Sequence, residues 1–238
     1  MEWITRLLTK NAPTSNQMTP QLATSLLHKA DQFDGYRRSC EKDWMNRTAR
    51  QGTSYHPWHD QSFAKEVTSK QSDIHCIILD PSADGGMPHT RAPNIVCIPA
   101  YYPKEKLDTL LRHEMTHIYQ RQNTYEWISK CEKEGWMHID DNSAEREIPI
   151  EYRRRCRFNP DTLYARWMAW EGRYIPLPLF IREDAPKLRD VSIRWWDMRE
   201  RRLLNDPPLS YRKRYGSTVS AAAQEHPFEL MAYRIEHT

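Results

Sequence analysis

The sequence contains no run of eighteen apolar residues, so no membrane-spanning helix is expected. Glycine is scarce, with 7 in 238 residues, and neither G-x-x-x-x-G-K nor G-x-G-x-x-G occurs, which excludes the usual glycine-rich phosphate cradles. Cysteine is sparse and scattered: Cys40, Cys76, Cys97, Cys131 and Cys156 are odd in number and show no CxxC spacing. This argues against a disulfide framework or a cysteine zinc cluster and points to a reducing compartment. The opening MEWITRLLTKNAP has an arginine inside a short apolar stretch, no basic lead and no small-residue cleavage site, so it does not read as a secretion signal. The expected location is intracellular, or within a particle assembled there. A strong charge of one sign is also lacking, since the net charge is only +3.

What is present suits one large domain, or one domain with a sizeable insertion, able to bury a core without disulfides. Thr19 and Pro20 open a helix carrying Leu22, Leu26 and Leu27 at helical spacing, and a second helix is expected over Tyr36 to Arg50. Gly52 to Lys70 reads as polar and irregular. IHCIILD, Ile74 to Asp80, and NIVCIPA, Asn94 to Ala100, read as strands separated by a Gly- and Pro-containing loop. Pro103 then opens a helical pattern to about Gln122, and Tyr125 to Glu134 is helical as well. ARWMAWEGRYIPLPLF reads as a hairpin around Glu171 and Gly172, VSIRWWDM as a further strand and NDPPLS as a turn or linker. HPFELMAYRIEHT restarts a helix, with Pro227 suited to its first position. The order implies an α+β fold divided into residues 1–122, an insertion over 123–216, and a C-terminal helix within 217–238.

The helix that follows the second strand holds the chemistry. His113 and His117 are four apart, so they project from one face about one turn from each other. Two imidazoles so placed can grip one zinc ion. Leu107, Leu111, Met115 and Ile118 fall on roughly the opposite side, as a core-packed helix requires. Glu114 is offset by about a hundred degrees from the histidine stripe. That position suits a general base reaching a water beside the metal better than it suits a ligand.

His113-Glu114-Met115-Thr116-His117, preceded by an apolar strand, resembles the HExxH motif of the zincin metallopeptidases. The resemblance implies a zincin-like fold, a small mixed sheet packed on the active-site helix, with His113 and His117 holding Zn2+ and Glu114 activating water. The metzincin branch extends the motif with a glycine and a third histidine; Gln120 and Asn123 stand there instead, so that branch is excluded. In the gluzincin branch the third ligand is a glutamate from a later helix. Glu229 is the preferred candidate, because Glu229 to Ala232 matches the E-x-x-A pattern of several gluzincins. Pro227 would also set Glu229 in a first helical turn, and a small Ala232 on the same face would allow close helix approach. Glu145, with Glu147 close by, is the alternative, at a distance some gluzincins use. The resemblance spans Ile74 to Gln122 and the last helix and leaves the insertion uncovered.

Other residues carry lesser expectations. Tyr233, one turn after Glu229, could hydrogen-bond the oxyanion formed when water attacks a carbonyl, or be a packed aromatic. His226 could do similar work or cap the last helix. His56 and His59 have no acidic or cysteine partners at metal spacing and read as surface or structural. His89 and Thr90, ahead of the second strand, could touch substrate if that strand borders the cleft. Asn159 to Asp161 reads as a turn broken by Pro160. Trp167, Trp170, Trp195 and Trp196 read as the core of the insertion. Arginines gather at 153–157, 199–202 and 212–214, a pattern compatible with a nucleic-acid partner but read first as a solvated face balanced by Glu and Asp.

The sequence therefore leads to a zinc-dependent metallopeptidase, a hydrolase acting on a peptide or protein substrate. Two rival readings stay open: a catalytically silent zincin-fold component of a larger assembly, contacting its partner through the insertion, and a DNA-associated zincin protease.

Overall fold

The computed structural model describes residues 18–50, 56–216 and 219–236. The opening peptide read above lies outside them. Among the described residues no helix is long and apolar enough to cross a membrane. All five cysteines are buried and free.

The chain is α+β with two small sheets. Helix α1, Pro20–Asp34, starts where Thr19 Oγ1 accepts the amide of Leu22 at 3.2 Å and stops at left-handed Gly35. The single helix expected over Tyr36 to Arg50 is instead two, α2 (Tyr36–Lys42) and α3 (Trp44–Arg50). Asp43 breaks it: its backbone is extended and its carboxylate accepts the amide of Asn46 at 2.8 Å, starting the chain afresh. The stretch read as irregular also needs correction, because Ser62–Lys70 forms α4. Its core-facing stripe is only Ala64 and Val67 joined by half-buried Phe63, too short to stand out from a polar neighbourhood. Gln61 ties this helix to the sheet, accepting from the Ile78 amide at 2.9 Å and donating to its carbonyl at 2.8 Å.

Strand β1, His75–Leu79, pairs in parallel with β3, Ile95–Pro99. Within the loop between them lies a third strand missed by the sequence, β2, His89–Arg91, antiparallel to β3 and at the sheet's edge. Three residues are too few to show an alternation. A tight turn then leads into α5, Leu107–Gln122. Its Leu107, Leu110, Leu111 and Ile118 pack with Val96 and Ile98 of β3, while Met115 is half-buried against the same cluster. That apolar seam fixes the rotation of α5 and turns its other face away from the sheet.

Helix α6, Thr124–Glu134, follows, and then β4, Trp136–His138. After the short helices α7 (Asp141–Glu147) and α8 (Ile150–Arg153), strands β5 (Met168–Trp170), β6 (Tyr174–Phe180), β7 (Val191–Asp197) and β8 (Arg202–Leu204) complete a five-stranded antiparallel sheet. The expected hairpin turns at Glu171 and Gly172, both left-handed, with φ of 52° and 61°. The four tryptophans named above are buried as expected. Trp170 and Trp195 pack with Tyr211 of α9 (Leu209–Tyr215) and with Phe228 and Met231 of the last helix. The insertion and the C-terminal helix thus share one apolar cluster. Helix α10, Ala221–Gln224, precedes the last helix, α11, Pro227–Glu236, which lies against α5.

Candidate metal centre

Helices α5 and α11 bring His113, His117 and Glu229 to one point. The two Nε2 atoms lie 3.0 Å apart, and Glu229 Oε2 is 3.4 Å from the first and 3.5 Å from the second. Tetrahedral bonds of about 2.0–2.1 Å separate ligand atoms by roughly 3.3–3.4 Å, so this triangle has the dimensions of three zinc ligands. Among the described residues it is the group of His, Cys, Asp and Glu side chains placed to hold a metal ion. Glu145 lies elsewhere, exposed and paired with Arg153 at 3.4 Å.

The protons of the two imidazoles follow from their partners. Gln120 donates its amide N–H to the Phe228 carbonyl at 3.0 Å, which turns Gln120 Oε1 toward His117 Nδ1 at 2.8 Å. An amide oxygen only accepts, so Nδ1 of His117 carries the hydrogen. His113 Nδ1 faces the carboxylate of Glu236 at 2.8 Å and carries its hydrogen for the same reason. Both Nε2 atoms are then lone-pair donors in the neutral rings, aimed with Glu229 at shared space. Glu229 is itself held by its other oxygen, which accepts from Asn159 Nδ2 at 2.8 Å. Each ligand thus has an outer partner that sets its orientation, the arrangement by which proteins hold a metal ion. Two nitrogens and a carboxylate are a donor set that suits zinc, and they would leave a fourth position for solvent.

Three mutually repelling electron-pair donors need a positive charge between them. Burial alone would lower the pKa of His113, but Glu229, Glu114 and Glu236 outweigh it and raise it to about 10. His117 moves up as well: burial pulls it down and the Glu229 charge overrides this. Glu229 moves the other way, well below the usual carboxylate range, because the two imidazoles outweigh its own burial. In metal-free protein a proton therefore occupies the triangle at neutral pH. Metal binding near pH 7 should release protons, measurable by calorimetry in buffers of different ionisation enthalpy. The sign for stability follows too. A histidine raised from 6.5 to about 10 stabilises the metal-free fold fully below pH 6.5, and that stabilisation is lost as pH rises toward 10. Metal-loaded protein should lack this alkaline loss, a difference that paired thermal melts would record.

Glu114 is 3% exposed, its Oε2 has no hydrogen-bond partner, and it lines a cavity of about 570 Å³ together with His113, Glu229 and Tyr233. Burial, reinforced by the Asp161 carboxylate, pushes it up to about 8. Tyr233 packs edge-on against the His113 ring, centroids 4.8 Å apart. His226 is not at the centre: its Nε2 meets the Ala165 carbonyl at 2.8 Å and its Nδ1 accepts the Phe228 amide at 3.1 Å, so it caps α11. Burial lowers it to about 4, which keeps that acceptor available. His56 and His59 are exposed. His89 lines the cavity; Thr90 instead donates both its amide and its hydroxyl to Asp161, at 2.7 and 2.5 Å.

Gln120, Asn159, Asp161 and Glu236 were not read as site residues from the sequence. Glu236 had a usable signal, since it lies two turns after Glu229 on the same helical face. Asn159 had none, because a turn far along the chain carries no mark of what it faces. Asn159→Ala should weaken zinc binding by about 10- to 100-fold, and Gln120→Leu similarly, with the fold retained; competition against a chelating dye would measure it.

No family profile, curated protein or solved structure matches this chain.

Proposed function

We propose that the protein is a zinc-dependent metallopeptidase of zincin type, its metal held by His113, His117 and Glu229. The reading rests above all on three lone-pair donors converging at 3.0–3.5 Å with every outer partner in place. A three-stranded mixed sheet packed on the HExxH helix supports it further. When bound, zinc supplies Lewis acidity toward water and toward the scissile carbonyl.

The remaining work belongs to the side chains. Glu114 lines the cavity beside His113 with a carboxylate oxygen that nothing else engages, so it can take a proton from the attacking water and give it to the leaving amine. Tyr233, against His113 at the cavity wall, is placed to donate to the oxygen on which negative charge develops.

A buried carboxyl with an oxygen left without a hydrogen-bond partner is costly, and a purely structural component would have no use for it; Glu114 therefore favours an enzyme over a scaffold. The arginine clusters give less support to a nucleic-acid partner, since Arg153, Arg155 and Arg201 lie within 4 Å of Glu145, Glu183 and Glu147, and Arg157 pairs with buried Glu225. The test is cleavage of a mixed peptide library by zinc-loaded protein, abolished by a chelator and restored by zinc. Firm stoichiometric zinc with no cleavage across the library would replace this reading with the scaffold.

A further inference from the structure

The cavity has a second polar feature, on residues the metal centre does not use. Asp84 is 2% exposed and lines the cavity, in a short turn, Ala83–Gly86, that leads toward β2. Its Oδ1 is fully engaged, accepting Tyr36 Oη at 2.8 Å and Arg50 Nε at 3.2 Å. Its Oδ2 is buried and has no hydrogen-bond partner. A buried carboxylate oxygen left unmatched costs free energy, and such atoms mark a missing donor. His89 Nε2 lies 3.8 Å away, beyond hydrogen-bond reach and within ion-pair distance only for a charged ring. His89 also lines the cavity, and its Nδ1 faces the Met87 carbonyl at 3.2 Å, which places the ring hydrogen there in the neutral tautomer. Asp84 Oδ2 and His89 Nε2 then form a pair of acceptors with no donor between them.

A nitrogen bearing two or more hydrogens fits such a pair. The charge of the walls selects a cation over a neutral amide or alcohol. Among the described residues, carboxylates lining the cavity outnumber Arg and Lys by seven to three, so its walls favour a cation.

We infer that Asp84 and His89 form a subsite, in the cavity that serves the metal centre, for a basic side chain of the substrate, so that the peptidase prefers a lysine or arginine near the scissile bond. This inference rests on the metallopeptidase reading for its substrate but not for its binding chemistry. Asp84 accepts the cationic N–H donors through Oδ2, and His89 accepts a second hydrogen or packs against the alkyl stem. Arg50 and Tyr36 hold the carboxylate in place through Oδ1. Asp84 and His89 determine specificity; the reacting bond is left to Glu114.

Two arms test it. With zinc-loaded full-length protein, 1-butylguanidinium and butylamine should bind about 10- to 100-fold more tightly than uncharged 1-butanol, read by ligand-observed NMR. Asp84→Asn preserves the Oδ1 acceptor for Tyr36 and Arg50 and puts an N–H₂ where Oδ2 was; it should erase the difference. If that variant does not fold, His89→Leu leaves the Arg50–Tyr36–Asp84 cluster intact and should weaken both cations several-fold. In the second arm, kcat/KM across peptides varied at one position should favour Lys and Arg over Ala, Gln and Glu by a similar factor, and Asp84→Asn should flatten it. Equal binding of cation and alcohol, or an unchanged cation preference in the variants, overturns the subsite. Cation binding that depends on Asp84, with no peptide cleaved, would keep the subsite and remove the peptidase. Cleavage indifferent to basic residues would do the reverse.

Discussion

Glu114→Gln should lower kcat by about 10³-fold, the usual worth of a positioned general base, while zinc content stays at one per chain. Glutamine keeps the shape and one acceptor oxygen but cannot take a proton. The three proposed ligands are untouched, so metal analysis and KM should be nearly unchanged, the pattern left by loss of an interaction made only in the transition state. Retained turnover in clean enzyme would refute the assigned role. The same substitution should stabilise the metal-free fold. Burial raises the Glu114 carboxyl from 4.5 to about 8, so the folded state favours the protonated form. Relative to a residue that cannot ionise, stability is fully present below about pH 4.5 and is lost as pH rises through 8. Glutamine escapes that loss, and the melting temperature of the variant should exceed that of the parent by a margin that grows from pH 5 to pH 8. An opposite trend would mean that the carboxylate is held by partners rather than left unsatisfied for catalysis. A gain in stability with a loss of turnover is what a residue kept for chemistry predicts.

The parts of this site legible in the sequence are those whose geometry is local. His113 and His117 share a face because a helix repeats every 3.6 residues, and Leu107, Leu111 and Ile118 announce which face is buried. Glu229 was legible only as a preference over Glu145. Its pairing with α5 depends on how α11 packs, and no short-range pattern encodes that. The insertion's tryptophans declared themselves as core by sheer area, yet nothing in their spacing says that Phe228 and Met231 complete the cluster and so seat α11. The outer partners were the least visible. Asn159 reaches Glu229 from a turn in the insertion, and the same turn holds β2 through Asp161. The stretch from 123 to 216, read from sequence only as a possible partner surface, therefore supplies a support of the candidate metal centre. Two of the elements misread, α4 and the break at Asp43, are short. In each, a single side chain, Gln61 or Asp43, satisfies backbone groups in a way that average propensity does not register.

Glu229→Ala should cost more than any change in the outer partners. Structural zinc sites bind with roughly 10–16 kcal/mol across four ligands, so one ligand is worth about 3–4 kcal/mol, or on the order of 10²- to 10³-fold in affinity. The loss has a second source. Glu229 is the negative charge shared by both buried imidazoles, and without it both His113 and His117 move down, although Glu236 still faces His113 Nδ1 at 2.8 Å. The two rings then remain 3.0 Å apart with no carboxylate facing both, and Asn159 loses its acceptor. Glu145→Ala is the matched control: it removes an exposed carboxylate paired with Arg153, where surface pairs contribute about 0–1 kcal/mol, and should leave zinc content and melting temperature within error. Elemental analysis of parent and both variants after dialysis decides the matter, with full zinc in parent and Glu145→Ala and little in Glu229→Ala. Full zinc in Glu229→Ala, or its loss in Glu145→Ala, would mean that the convergence of α5 and α11 serves packing and that the metal, if any, is held elsewhere. Glu229→Asp sharpens the test. A carboxylate drawn back by one methylene keeps the charge and hence the raised histidines, but cannot keep the distances of 3.4 and 3.5 Å without moving α11. An intermediate zinc affinity in that variant would separate the contribution of charge from that of geometry.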